Sequence, residues 1–287
     1  MLLDNKINVF LAICFLLLNV QCKKTKYTDD NYFGGKVIIL GHRGMGMLYL
    51  KPGNTYDAIS PAIGIGADGA EVDIQLTKDT VLVLFHDHLL NPSTTGTGRV
   101  YEKDWDEIKN YKYATFWPYN ISVNAVDELF SKIPNITNSY FSFDCSKVDN
   151  DVSDKELYRD QYLRAIKRVC DKYNMSNNVF IEGDIDLLMK SQKLGLTNKL
   201  FLFGALNESS INDAYNNHFF GFSTSIDDLN NNVSLAHQKG LYVMSWSPNN
   251  FSQNEFALNN KVDIIQTDDP ISILKLLNRY NYEYTNP

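Results

Sequence analysis

Six side chains in or just after apolar runs could do chemistry together. His42 and Arg43 follow "KVIIL", Glu71 and Asp73 lie in "GAEVDIQL", His86 follows "VLVLF", and Asp144 falls in "YFSFDC". Glu71 and Asp73 are two residues apart, so on a strand they point to one face. Two carboxylates on one face repel unless a cation lies between them. All-oxygen ligation suits a hard ion, Mg2+ or Ca2+. Asp144, a charge inside an aromatic strand, is expensive without a partner, and a third place on the same ion explains it. A divalent ion and Arg43 can hold and neutralise a phosphodiester. Two imidazoles, which titrate near pH ~6.5 when unperturbed, can serve as general base and general acid. This set points to phosphodiester cleavage, with the metal as Lewis acid on the phosphoryl oxygen. A lone histidine is more often structural; Arg43 beside it at a strand end turns His42 away from that reading.

Residues so far apart in sequence need a scaffold that gathers strand ends. Strand-like runs cover 36–40, 69–76, 81–85, 140–145, 178–183, 199–204, 219–225, 241–246 and 262–268. Most are near-continuously apolar, as parallel strands covered on both faces are. Helix candidates at 55–66, 104–113, 126–132, 155–173, 185–194, 208–217, 228–239 and 252–260 lie between them, which argues for βαβ units. "EVDIQL" and "VLVLFH" are joined by only "TKDT", too short for a parallel crossover, so they form an antiparallel hairpin. With the returning strand set aside, eight strands close a TIM (β/α)8 barrel, with an added β-hairpin strand near the active-site mouth. An open doubly wound sheet is the weaker alternative, because "GMG" only partly echoes a G-x-G-x-x-G fingerprint. A turn at Lys78–Asp79 sets Thr77 opposite Thr80 and His86 close to Glu71, unless a bulge shifts it by one. Asp87 reads as a turn cap or as a partner that orients His86. Asp268 and Asp269, before Pro270, read as caps of a final helix. Glu182, at a strand end, points into the mouth or at a partner.

The chain has 287 residues, a net charge of −7 and a pI near 5.2. One barrel of roughly 250 residues fits that length, and the absence of a basic stripe argues against a nucleic-acid partner. The apolar run from Ile7 to Val20 is shorter than the about 20 residues of a membrane span; it reads as the h-region of a secretory leader. Cys22 and polar "KKTKYTDDN" follow, the layout of a lipoprotein leader, although Gln21 stands where such leaders carry Gly, Ala or Ser. We expect a leader over 1–22, a tether over 23–34 and one barrel domain over 35–287. We also expect a secreted or cell-envelope location, with membrane contact through the leader or a lipidated Cys22. Cys145 and Cys170 make no disulfide framework and read as buried.

"GHRG", then "PGNT", then "GADGAEVDIQLTKDTVLVLFHDHLLNPSTTGTGRV" resemble the glycerophosphodiester phosphodiesterase family, as do "AHQKGLYVMSWSPNN" and "KVDIIQTDDP". The resemblance covers most of residues 36–275. It implies a TIM barrel, one divalent cation (Ca2+ or Mg2+), and hydrolysis of glycerophosphodiesters to glycerol 3-phosphate and an alcohol. Attack by the neighbouring glycerol hydroxyl, giving a cyclic phosphate, is among its implications. It also implies that His42 and His86 are the catalytic pair and Arg43 a phosphate ligand. Glu71, Asp73 and Asp144 become metal ligands, the last standing where the family has Glu, and Trp246 a wall against the glycerol or alcohol. Three departures bear on metal affinity or substrate placement: Gly53 replaces the acidic residue of "PENT", Ser146 (with Lys147 next) the lysine of "IEIK", and Pro92 the arginine of "LxRTT". Two alternatives stand beside this reading. One is a lysophospholipase D-like or other phosphodiester hydrolase, with Met45, Met47, Leu48 and Tyr49 near an acyl chain. The other is a catalytically impaired phosphodiester-binding protein.

Overall fold

The apolar runs form a ring because each must be covered on both faces. The computed structural model describes residues 27–46, 49–91, 93–114, 120–145, 152–229 and 231–284; Cys22, Met47, Leu48, Pro92, Ser146 and Lys147 lie outside them. Its strands are β1 (Ile38–His42), β2 (Gly69–Leu76), β3 (Leu82–Leu84), β4 (Asn124–Ala125), β5 (Tyr140–Asp144), β6 (Val179–Gly183), β7 (Lys199–Phe203), β8 (Gly221–Ser225), β9 (Tyr242–Trp246) and β10 (Ile264–Thr267). All except β3 and β4 are parallel. β1 pairs with β2 on one side and β10 on the other, closing an eight-stranded TIM barrel. β3 runs antiparallel on β2, and β4 extends that appendage by one short strand that the sequence pattern missed.

Outward residues such as Ile39, Val72, Phe141, Phe143, Ile181 and Val243 join helix residues such as Ile59, Phe130 and Tyr162 in the main core. Leu40, Phe180, Phe201, Met244 and Ile264 form a second cluster that fills the barrel interior. Truncating a fully buried ring such as Phe141 to alanine costs about 3–5 kcal/mol. Interior positions turn polar toward the C-terminal strand ends, where Ser142, Glu182, Ser223 and Gln266 are buried.

The helices are α1 (Tyr56–Gly64), α2 (Trp105–Ile108), α3 (Val126–Lys132), α4 (Lys155–Tyr173), α5 (Ile185–Lys193), α6 (Glu208–Asn216), α7 (Asn232–Gln238), α8 (Phe251–Asn259) and α9 (Pro270–Leu276). The longest, α4, starts where the Asp154 carboxylate accepts from the Leu157 N–H and ends at left-handed Asn174, as helix caps do. The helix expected at 104–113 stops at Ile108. Lys112 bridges to Ser122, and Tyr111 and Tyr113 pack on a small cluster around Val83, Phe85 and Val123.

The hairpin register also differs from expectation. Lys78, Asp79 and Thr80 form a three-residue turn, Thr80 is left-handed at φ 65°, and the Thr77 N–H donates to the Val81 carbonyl. A left-handed third residue is the usual ending of such a turn. The pairing becomes Gln75 with Val83 and Leu76 with Leu82, one step off a register that sets His86 against Glu71.

At the barrel base, Tyr32 stacks on His237 with ring centroids 4.1 Å apart and Phe33 on Tyr242 at 4.3 Å. Residues 27–34, within the stretch read as a tether, thus lie against the fold. No helix among the described residues is long and apolar enough to cross a membrane.

Candidate active site

The β1 end carries the first half of the site. His42 Nδ1 lies 2.8 Å from Asp268 Oδ1, and its Nε2 is 3.7 Å from Glu71 Oε2. Arg43 is left-handed at φ 54°, a conformation uncommon outside glycine. Two bonds hold it there: its N–H donates to Glu71 Oε2 at 3.0 Å, and its carbonyl accepts from the Asn54 N–H at 3.0 Å. The Asn54 side chain brackets Asp73, donating to Oδ2 at 2.8 Å and accepting from the Asp73 N–H at 3.0 Å. Arg43 Nε is 3.1 Å from Asp73 Oδ2. The glycines of "GHRGMG" answer to close approach. A Cβ on Gly44 would sit 2.6 Å from the Ala58 carbonyl, and one on Gly46 2.3 Å from the Asp268 carbonyl oxygen.

Glu71, Asp73 and Asp144 each offer a carboxylate oxygen, and these lie within 4.8 Å of one another. Register explains the gathering: His42 is level with Glu71, Asp73 with Asp144, and Asp144 with Glu182 on neighbouring strands. Burial, and then the Asp73 charge, push the Glu71 carboxyl well above the usual carboxylate range. Three acids crowded with one arginine are short of positive charge, and hard oxygen donors at this spacing fit a divalent cation. Beneath them Glu182 accepts from Ser142 at 2.5 Å and also from Ser223 and Gln266. Burial and the neighbouring Asp144 raise its pKa to about 7.

The appended hairpin supplies the second half. His86 Nδ1 lies 2.8 Å from Asp87 Oδ1, and the Ser93 hydroxyl donates to the other Asp87 oxygen. Burial works to raise the Asp87 carboxyl, but its bonds to Ser93 and His86 outweigh that and hold it below the usual range. Two cavities meet at Arg43. One, of about 180 Å³, is lined by His42, Glu71, Asp144, Glu182 and Trp246; the other, of about 210 Å³, by Lys51, Gly53, Asn54, His86 and Tyr113. Phe203 and Trp246 stack in the first, 5.3 Å apart and 4° from parallel. The Trp246 Nε1–H is buried and has no partner among the described residues.

His42, Arg43, Glu71, Asp144 and Trp246 therefore line one cavity, Asp73 touches Arg43, and His86 enters from the adjoining one. His86 is brought to the Arg43 side of the site rather than set directly across from Glu71. Asp268, read as a helix cap, is instead the partner of His42; Asp269 alone caps α9 by accepting from the Ser272 N–H. Asn54, in "PGNT", has a role that the sequence pattern does not reveal. Its only signal was a polar residue fixed between a glycine and a helix start.

A model of the glycerophosphoryl diester phosphodiesterase family matches residues 42–272. The chain is 26% identical over 251 residues to a glycerophosphodiester phosphodiesterase of Caldanaerobacter subterraneus subsp. tengcongensis, covering 85% of this chain and 99% of that protein. Its fold resembles a glycerophosphodiester phosphodiesterase from Parabacteroides distasonis, with a TM-score of 0.72 at 18% identity over 85% of this chain and 98% of that one. It also resembles an Oleispira antarctica phosphodiesterase solved with the product sn-glycerol-3-phosphate, with a TM-score of 0.72 at 18% identity over 84% and 96%. With the barrel, the acidic triad and the two histidine–carboxylate pairs in place, the chain belongs to the glycerophosphoryl diester phosphodiesterase family.

Proposed function

We propose that the protein hydrolyses glycerophosphodiesters to sn-glycerol 3-phosphate and an alcohol, with a divalent cation on Glu71, Asp73 and Asp144. The observation that carries this is the convergence of that triad, Arg43 and two histidines, each with a carboxylate at Nδ1. Ca2+ or Mg2+ held there would supply Lewis acidity and charge neutralisation at the phosphoryl group. Arg43, already oriented by Asp73, binds the phosphate where the two cavities join. A carboxylate that accepts the Nδ1–H of a histidine fixes the tautomer in which Nε2 can take or give a proton. His42 and His86, at opposite ends of the bound diester, then act as the proton-transfer pair. Trp246 and Phe203 form a flat wall for the glycerol arm, and the free indole N–H can donate to one of its hydroxyls.

The test is release of glycerol 3-phosphate from glycerophosphocholine after chelation and after restoring Ca2+ or Mg2+. We expect no turnover with chelator and recovery with metal. Binding of the diester without cleavage in either metal would instead support a phosphodiester-binding protein. For location, the leader-like run before Cys22 supports export and lipid attachment, with residues 35–287 as the catalytic domain. Loss of membrane association in Cys22→Ser is the expected result.

A further inference from the structure

The two cavities differ in charge, and a phosphodiester has two arms. The cavity under His42 is lined by the carboxyl groups of Glu71, Asp144 and Glu182 and by Arg43, and with Arg43 committed to the phosphate its lining has no lysine or further arginine to pair with an anionic substituent. The cavity under His86 holds one carboxylate, Asp87, already occupied by His86 and Ser93. It also holds Lys51, whose Nζ is 3.9 Å from Asp57 Oδ1, beyond hydrogen-bond range. Gly53 keeps this cavity open beside Arg43, because even a Cβ there would lie 2.8 Å from the Arg43 Cβ. A quaternary ammonium in this cavity would face Arg43 and Lys51. A carboxylate would find an ammonium that makes no hydrogen bond among the described residues and pairs only at longer range with Asp57.

We infer that Lys51 is a specificity-determining residue, which makes the second cavity select an alcohol arm that carries an anionic group. This rests on the proposed hydrolysis and names the substrate class of that same site. The experiment compares kcat/KM for glycerophosphoserine and glycerophosphocholine, with metal added, in wild type, Lys51→Ala and Lys51→Glu. Wild type should prefer the serine diester about fivefold, as one partly exposed charge contact allows. Lys51→Ala should bring the ratio near unity, and Lys51→Glu should reverse it. The same ratio in wild type and Lys51→Glu, with both diesters cleaved, overturns the inference and leaves the hydrolysis standing. Cleavage of neither diester by wild type removes the hydrolysis itself.

Discussion

The two histidine–carboxylate pairs are built in opposite ways. His42 and Asp268 are 226 residues apart and meet only because β1 lies beside β10. His86 and Asp87 are consecutive residues on an appended hairpin. The first pair is shielded, with side chains 13% and 8% exposed; the second is open, at 29% and 42%. Charge interactions are stronger where water is excluded, so Asp268 should command its imidazole more firmly than Asp87 does. The barrel pair is enclosed by the fold; the hairpin pair faces solvent.

Substitutions can break or sharpen that contrast. The largest expected effect is on turnover: His42→Ala and His86→Ala should each lower kcat about 10²–10⁴-fold. A loss confined to one of them would leave a single proton-transfer group. Next, Asp268→Asn should cost about 10–100-fold, the range for a residue that orients another, and should alter the pH–rate profile. Asp87→Asn should cost less. Equal losses, with melting temperatures unchanged, would erase the distinction between shielded and open pairs.

The smallest effect concerns stability at the floor of the site. Glu182 ionises near 4.5 when unperturbed, and burial and the neighbouring Asp144 raise this to about 7 in the fold. Between those values the native state keeps a proton that the unfolded chain has lost, so stability falls as pH rises through the window. In chelator, Glu182→Gln should therefore gain on wild type in melting temperature from pH 5 to pH 8, by roughly 5 °C. A constant difference between the two proteins would show that the carboxyl is already ionised.

The barrel could be read from the chain because unbroken apolar runs admit few other arrangements. The acidic triad could be read because Glu71 and Asp73 share a face and Asp144 has no apolar excuse. The register of His86 could not, since it turned on whether Thr80 would adopt a left-handed conformation. Asp268 was hidden for a different reason. "DDP" before a helix offers two equally good caps, and only closure of the ring assigns one of them to His42. Asn54 was hidden likewise, because its role exists only once Asp73 is beside it.

Meeting of β1 and β10 also sets the time at which His42 gains its partner. His42 is synthesised 226 residues before Asp268. A growing chain, or one cut short before its final strand, carries the imidazole without its anchor. The anchored imidazole thus arrives only once β10 is in place, as the last stave closes a cask.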